Sequence, residues 1–128
     1  MWKRAASVCT TVGALVAAGL TLAAPASASS VRTLTWNGAV RATGGFNSVS
    51  EYFFACDKSA DGHGVNVYWY VVSNPSHSGV VRDGDGADGD CHRDYVNIGE
   101  GNAVKYQVCL TDSGVEQFAC TSWTDDVA

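Results

Sequence analysis

Residues 65–72 read Val-Asn-Val-Tyr-Trp-Tyr-Val-Val, with Val65, Val67, Trp69 and Val71 on one side of an extended strand and Asn66, Tyr68, Tyr70 and Val72 on the other. So many β-branched and aromatic side chains suit a pleated, packed surface, and Gly62, Gly64, Asn74 and Pro75 punctuate both ends. The alternation predicts a central strand whose valine and tryptophan face lies in the core. Shorter runs of the same kind flank it. Val31 to Trp36 alternates with Leu34 and Trp36 on one side, and Asn37-Gly38 then predicts a type I′ hairpin turn into Ala39 to Thr43. Gly44-Gly45 interrupts the pattern. Phe46 to Cys56 resumes it, apolar on both faces as a covered strand would be.

After a polar turn from Asp57 to Gly64 comes the central strand, and the segment Asn74 to Gly79 reads as the loop that ends it. Val80-Val81 is a short apolar piece before an acidic loop, Asp83 to Asp90. Further strands are expected at Cys91 to Ile98, at Ala103 to Thr111 with Val104, Tyr106, Val108 and Leu110 on one face, and in a last run reaching Trp123. Asp125 to Ala128 reads as a loose tail. No capped amphipathic helical stretch occurs. Seven or eight short strands with turn signals between them predict an all-β fold, a small antiparallel β-sandwich, immunoglobulin-like in architecture, with a small β-barrel as the alternative.

The first 28 residues have the form of a secretory signal peptide. Lys3 and Arg4 form a basic start, Val12 to Ala24 a short apolar run, and Ala26-Ser27-Ala28 the small residues of a cleavage site. The apolar run is shorter than the roughly 20 residues a spanning helix needs. Cys9 precedes that run rather than standing at the cleavage site, so no lipid attachment is expected there. Residues 29–128 are expected to form one secreted, extracellular domain with no membrane association after cleavage.

In that mature chain six basic residues face 13 acidic ones, a formal charge of −7. An acidic balance argues against nucleic acid, whose affinity rests on basic side chains meeting phosphates. It also keeps an exported protein dispersed. A domain of this length buries only about 60–70% of its unfolded surface, so covalent restraint is useful. Cys56, Cys91, Cys109 and Cys120 supply an even count for an oxidising compartment and read as two disulfides.

Four cysteines allow three connectivities. Cys109 falls on the Lys105, Gln107 and Thr111 face of its strand, so a bond to Cys120 would staple the outside of a hairpin. Those two would then have to stand directly opposite each other, because diagonal neighbours lie roughly 7–8 Å apart. Direct opposition calls for a four-residue loop, Ser113 to Glu116. Cys56 with Cys91 would be the remaining pair, and this is the preferred connectivity.

The pattern Cys56-Asp57-Lys58, Ala60-Asp61-Gly62-His63-Gly64-Val65, Asp88-Gly89-Asp90-Cys91, Val108-Cys109-Leu110 and Cys120 with Trp123 resembles a group of short secreted proteins of actinobacteria. The likeness covers most of the chain after about Ala55. It implies a secreted β fold with paired cysteines, and its motifs are structural rather than catalytic.

Candidate chemistry is sparse. Asp83, Asp85, Asp88, Asp90 and Asp94 offer the hard oxygens calcium prefers, yet an EF-hand register starting at Asp83 puts Ala87 at position five and Asp88 where glycine is needed. The loop is therefore read as a solvated turn. His63, His77 and His92 lie in or beside loops with no second histidine at ligand spacing, so no metal site and no cofactor are expected. No Gly-x-Ser-x-Gly elbow is present, and most of the carboxylates crowd one loop, so the protein is read as non-enzymatic. Tyr68 and Tyr70 share one strand face. If open, that face is a flat aromatic platform; if covered, it is ordinary core, and Trp36 and Trp123 carry the same ambiguity. The expected function is surface recognition of an extracellular protein or glycan. The alternative is an inhibitor or effector presenting a loop, Asn74 to Ser78 or Asp83 to Asp90, to an enzyme.

Overall fold

The computed structural model describes residues 29–112 and 116–128, so the predicted leader lies outside the described residues. The chain forms β1 (Ser30–Trp36), β2 (Ala39–Asn47), β3 (Tyr52–Asp57), β4 (Gly64–Val71), β5 (Asn74–Asp83), β6 (His92–Tyr95), β7 (Ala103–Asp112), β8 (Glu116–Cys120) and β9 (Thr124–Val127). One sheet runs β1-β2-β3-β6; the other runs β5-β4-β7-β8, with β9 also pairing β7. Every pairing is antiparallel. The result is a two-layer β-sandwich without a helix among the described residues. The two sheets stay separate, so the barrel alternative is excluded.

The predicted central strand holds its place. Val65, Val67, Trp69 and Val71 of β4 are buried, and opposite them on β7 stand Leu110, Val108, Tyr106 and Val104, also buried. Across the sandwich Phe53 of β3 stacks on the Trp69 indole at 4.7 Å and 8°, and Phe46 of β2 packs on Phe53 at 4.5 Å. The Asn37-Gly38 turn has positive φ at both residues, 50° and 76°, as a type I′ hairpin requires.

Several sequence expectations are corrected. Gly44-Gly45 does not break a strand; β2 runs through it and turns only after Asn47. A Cβ at Gly44 would lie 2.4 Å from Val67 Cγ2 and 2.8 Å from Val108 Cγ2, so the glycine lets the sheets close. Asn74 to Gly79 is not a loop but the start of β5. Tyr70 pairs Ser78 and Val71 pairs Asn74, leaving Pro75, Ser76 and His77 bowed out between them, which is how a strand accommodates the proline. The strand expected at Cys91 to Ile98 ends at Tyr95. Asp125 to Ala128 is no loose tail, because β9 pairs with β7 and Asp126 and Ala128 are buried.

The disulfides are Cys56–Cys91 and Cys109–Cys120, as preferred. Both partners of the first border strands of the four-stranded sheet, while the β4–β5 hairpin they enclose belongs to the other layer. Cys109 does face Cys120 directly, but not through a four-residue loop. Leu110 pairs Ala119 and Thr111 pairs Gln117, so a bulge at Phe118 corrects the register.

Candidate functional site

Two regions gather the polar and aromatic chemistry. The first is the outer face of the five-stranded sheet. Tyr68 and Tyr70 are half-buried there, neither core nor fully open. Asn66 Nδ2 donates to the Tyr68 hydroxyl at 2.9 Å, and the Tyr70 ring meets Trp123 edge-on at 5.3 Å. Trp123, 44% exposed, sits on the link between β8 and β9. That link is pinned to β7: Gln107 Nε2 donates to the Thr121 carbonyl at 2.9 Å, and Val108 N–H donates to Thr121 Oγ1 at 3.1 Å. At the far end Lys105 Nζ pairs with Asp125 Oδ1 at 2.7 Å, and this carboxylate raises the Lys105 pKa above its ordinary value. The face is thus an aromatic strip on rigid strands, bordered by an amide and an ion pair.

The second region is one pole of the sandwich, where the β1–β2, β3–β4 and β5–β6 connections meet the end of β7. A cavity of about 400 Å³ opens there, with Asp57, His63, Asn66, Asp83 and Thr111 among its lining residues. Asp57 N–H donates to Asp83 Oδ2 at 2.8 Å, and Ser59 N–H to Asp57 Oδ1 at 3.0 Å. Arg41 Nη1 donates to Ser59 Oγ at 2.8 Å and faces Asp61 at 3.4 Å, fixing the β3–β4 loop. The second oxygens, Asp57 Oδ2 and Asp83 Oδ1, are buried without a hydrogen-bond partner among the described residues, as is Thr111 Oγ1. Burial holds both carboxyls above their ordinary pKa. Beside them His92 Nε2 stands 3.1 Å from Asp85 Oδ2 and 3.8 Å from Asp83 Oδ1. Asp83, then His92, holds the exposed Asp85 carboxyl below its ordinary pKa, and Asp85 raises that of His92. Next to this cavity Trp36 and Phe118 meet edge-on at 5.6 Å, with the His63 ring 4.7 Å from Phe118, and form an open cleft of about 480 Å³.

Of the residues singled out in the sequence, the four cysteines pair, and Tyr68 and Tyr70 share the outer face with Trp123. The acidic loop divides. Asp83 and Asp85 join His92; Asp88 Oδ1 accepts the Asp90 amide at 2.9 Å, and Asp94 stands exposed on β6 opposite Phe53. The spacing of the histidines shows no ligand set; the fold brings His92 beside two carboxylates, Asp83 at the end of β5 and Asp85. His77 lies against the edge of Trp69 at 5.6 Å. No family model, curated protein or solved structure matches the chain. The geometry therefore stands alone as evidence of function. Missed in the sequence were Asp57, whose buried carboxylate reads there as part of a polar turn, and the Trp123 contact, whose only signal was a tryptophan beyond the last strand.

Proposed function

We propose that the protein is a secreted, non-enzymatic recognition module that binds a polysaccharide on the outer face of the five-stranded sheet. The observation that carries this reading is the alignment of Tyr68, Tyr70 and Trp123, half-buried or exposed on one rigid face. Aromatic rings of this kind offer large, stiff contact area at little entropic cost, and they stack on the apolar faces of sugar rings. Lys105, Asp125, Gln107 and Arg82 border the strip with charged and amide groups suited to sugar hydroxyls. The two antiparallel layers and two disulfides are consistent with an extracellular setting.

Co-sedimentation with insoluble cell-wall polysaccharides tests the reading, with Trp123 fluorescence as a second signal. Wild-type protein is expected to sediment with at least one polymer, and Tyr68→Ala/Tyr70→Ala to lose that binding while still unfolding cooperatively above the assay temperature. Equal sedimentation of the two proteins, or none by either, retires the platform. A second reading rests on a different observation: the largely exposed segment 84–90 leaves the fold at Asp83 and returns at a disulfide-anchored Cys91, the form of a presented inhibitory loop. Binding to an extracellular enzyme that survives loss of both tyrosines would favour it.

A further inference from the structure

The loop pole holds a feature that recognition on the outer face leaves unused. Three donor atoms converge there: Asp83 Oδ1 at the end of β5, Asp85 Oδ2 two residues later, and His92 Nε2 at the start of β6, all within 4.8 Å of one another. Asp85 lies in the bend just past the end of β5, two residues after Asp83. His92 is fixed by its neighbour Cys91, bonded to Cys56, and by its pairing with Ala55. An ion with bonds of about 2.0–2.2 Å in tetrahedral geometry needs donors about 3.3–3.6 Å apart. The observed 3.1 Å from His92 to Asp85 and 3.8 Å from His92 to Asp83 bracket that range.

A cluster of acids is common without an ion, but this one has a second mark. Asp83 is wholly buried, and its Oδ2 is held by the Asp57 amide, which sets the direction of Oδ1, an oxygen with no hydrogen bond among the described residues and with His92 Nε2 3.8 Å away. Outside the cluster, Asp57 Oδ2 and Thr111 Oγ1 also lack a hydrogen bond among the described residues, each on a residue at least nine-tenths buried, and both residues line the same cavity as Asp83. Buried oxygens of this kind are costly unless something satisfies them. A cation held by Asp83, Asp85 and His92 satisfies Asp83 Oδ1.

We propose that Asp83, Asp85 and His92 bind a first-row divalent cation, best matched by zinc, leaving a fourth coordination position for a non-protein ligand. Calcium fits less well, since it takes six to eight oxygens and here an imidazole supplies one of three protein donors. The open position is the arrangement in which zinc carries a water molecule.

Titration calorimetry of zinc chloride into chelator-treated protein with both disulfides intact, followed by thermal melting, tests the site. One zinc per chain and a raised melting temperature are expected. Losing a direct ligand should cost at least the roughly 10- to 100-fold that losing an outer-shell partner costs, so Asp85→Asn and His92→Gln should each bind at least about tenfold more weakly. Both side chains are about half exposed, 54% and 49%, so the variants keep the fold, and metal-free melting curves check this. His77→Gln, remote from the site, should bind as wild type. No heat and no melting shift at millimolar zinc would leave an Asp–His ion pair only and overturn the proposal. Zinc binding abolished by His77→Gln but kept by His92→Gln would overturn it too, as would calcium binding that His92→Gln leaves unchanged. Tyr68→Ala/Tyr70→Ala is expected to keep full zinc affinity, so failure of the outer-face reading and failure of this one are separable.

Discussion

Adding one methyl group at Gly44 tests how the two sheets meet. A Cβ there lies 2.4 Å from Val67 Cγ2 and 2.8 Å from Val108 Cγ2, where ordinary contact begins at 3.4 Å. Relief thus demands a shift of about 1 Å between layers. Both valines are fully buried and, being β-branched, have little freedom about χ1. The third neighbour, the Phe54 carbonyl at 3.1 Å, is backbone and cannot swing aside. Overpacking of this kind costs about 1–3 kcal/mol, and the stiffer unfolded chain of alanine offsets about 0.4–1 kcal/mol of it. Gly44→Ala is therefore expected to destabilise the domain by about 1–2 kcal/mol, at about 4–8 °C of melting temperature per kcal/mol. Val67→Ala alone loses on the order of 1.6 kcal/mol of buried methyl transfer plus a cavity contribution. In the double variant the new methyl fills part of the space Val67 vacates, so the combined loss should fall short of the sum by more than about 0.5 kcal/mol. Guanidinium unfolding with disulfides intact, followed by the fluorescence of buried Trp69, measures all three. A Gly44→Ala protein as stable as wild type, or strictly additive losses, would refute the close approach.

Two further predictions follow from buried polar groups. Burial holds the Asp57 carboxyl above its ordinary 3.8, so the stability that its protonation lends is complete below 3.8 and is lost as pH rises through the folded value. Asp57→Asn, which keeps an acceptor for the Ser59 amide, should gain on the parent protein between pH 4 and pH 7 in chelator; a gap that stays constant over that range refutes the assignment. Ser30 Oγ donates to Asp126 Oδ2 and, with its proton so committed, accepts from the Tyr106 hydroxyl at 2.8 Å. Ser30→Ala strands both groups and should cost about 1–3 kcal/mol in equilibrium unfolding, whereas a change under 0.5 kcal/mol would show the contact to be incidental.

Much of the fold was legible because it rests on local pattern. The alternation of Val65, Val67, Trp69 and Val71 survives burial unchanged, and Asn37-Gly38 specifies its turn through positive φ alone. Where legibility failed, the deciding partner was distant in sequence. Gly44-Gly45 punctuates when read locally, yet it serves Val67 and Val108 on the facing sheet. Asn74-Pro75 reads as a loop because a bulge and a loop share the same residues. Asp126 reads as tail because its partner is Ser30, 96 residues away. The candidate sites divide the same way. Tyr68 and Tyr70 could be assigned to one face from periodicity, but how far they are covered depends on Trp123, which the register of β9 brings in. The Asp83, Asp85 and His92 group could not be read from spacing, since its members come together only when β6 pairs with β3.

The Ser30–Tyr106–Asp126 chain also bears on how the molecule assembles. Hairpins β1–β2, β4–β5 and β7–β8 join near neighbours and can form early, whereas this latch clasps the first and last strands to the middle of β7. Closing so long a loop carries entropy that only the finished sandwich can repay, which places the fold among slow, millisecond-to-second folders. The same latch makes unfolding cooperative: an end strand cannot peel away without exposing a carboxylate and two hydroxyls at once, so fraying at either end is coupled to loss of the whole.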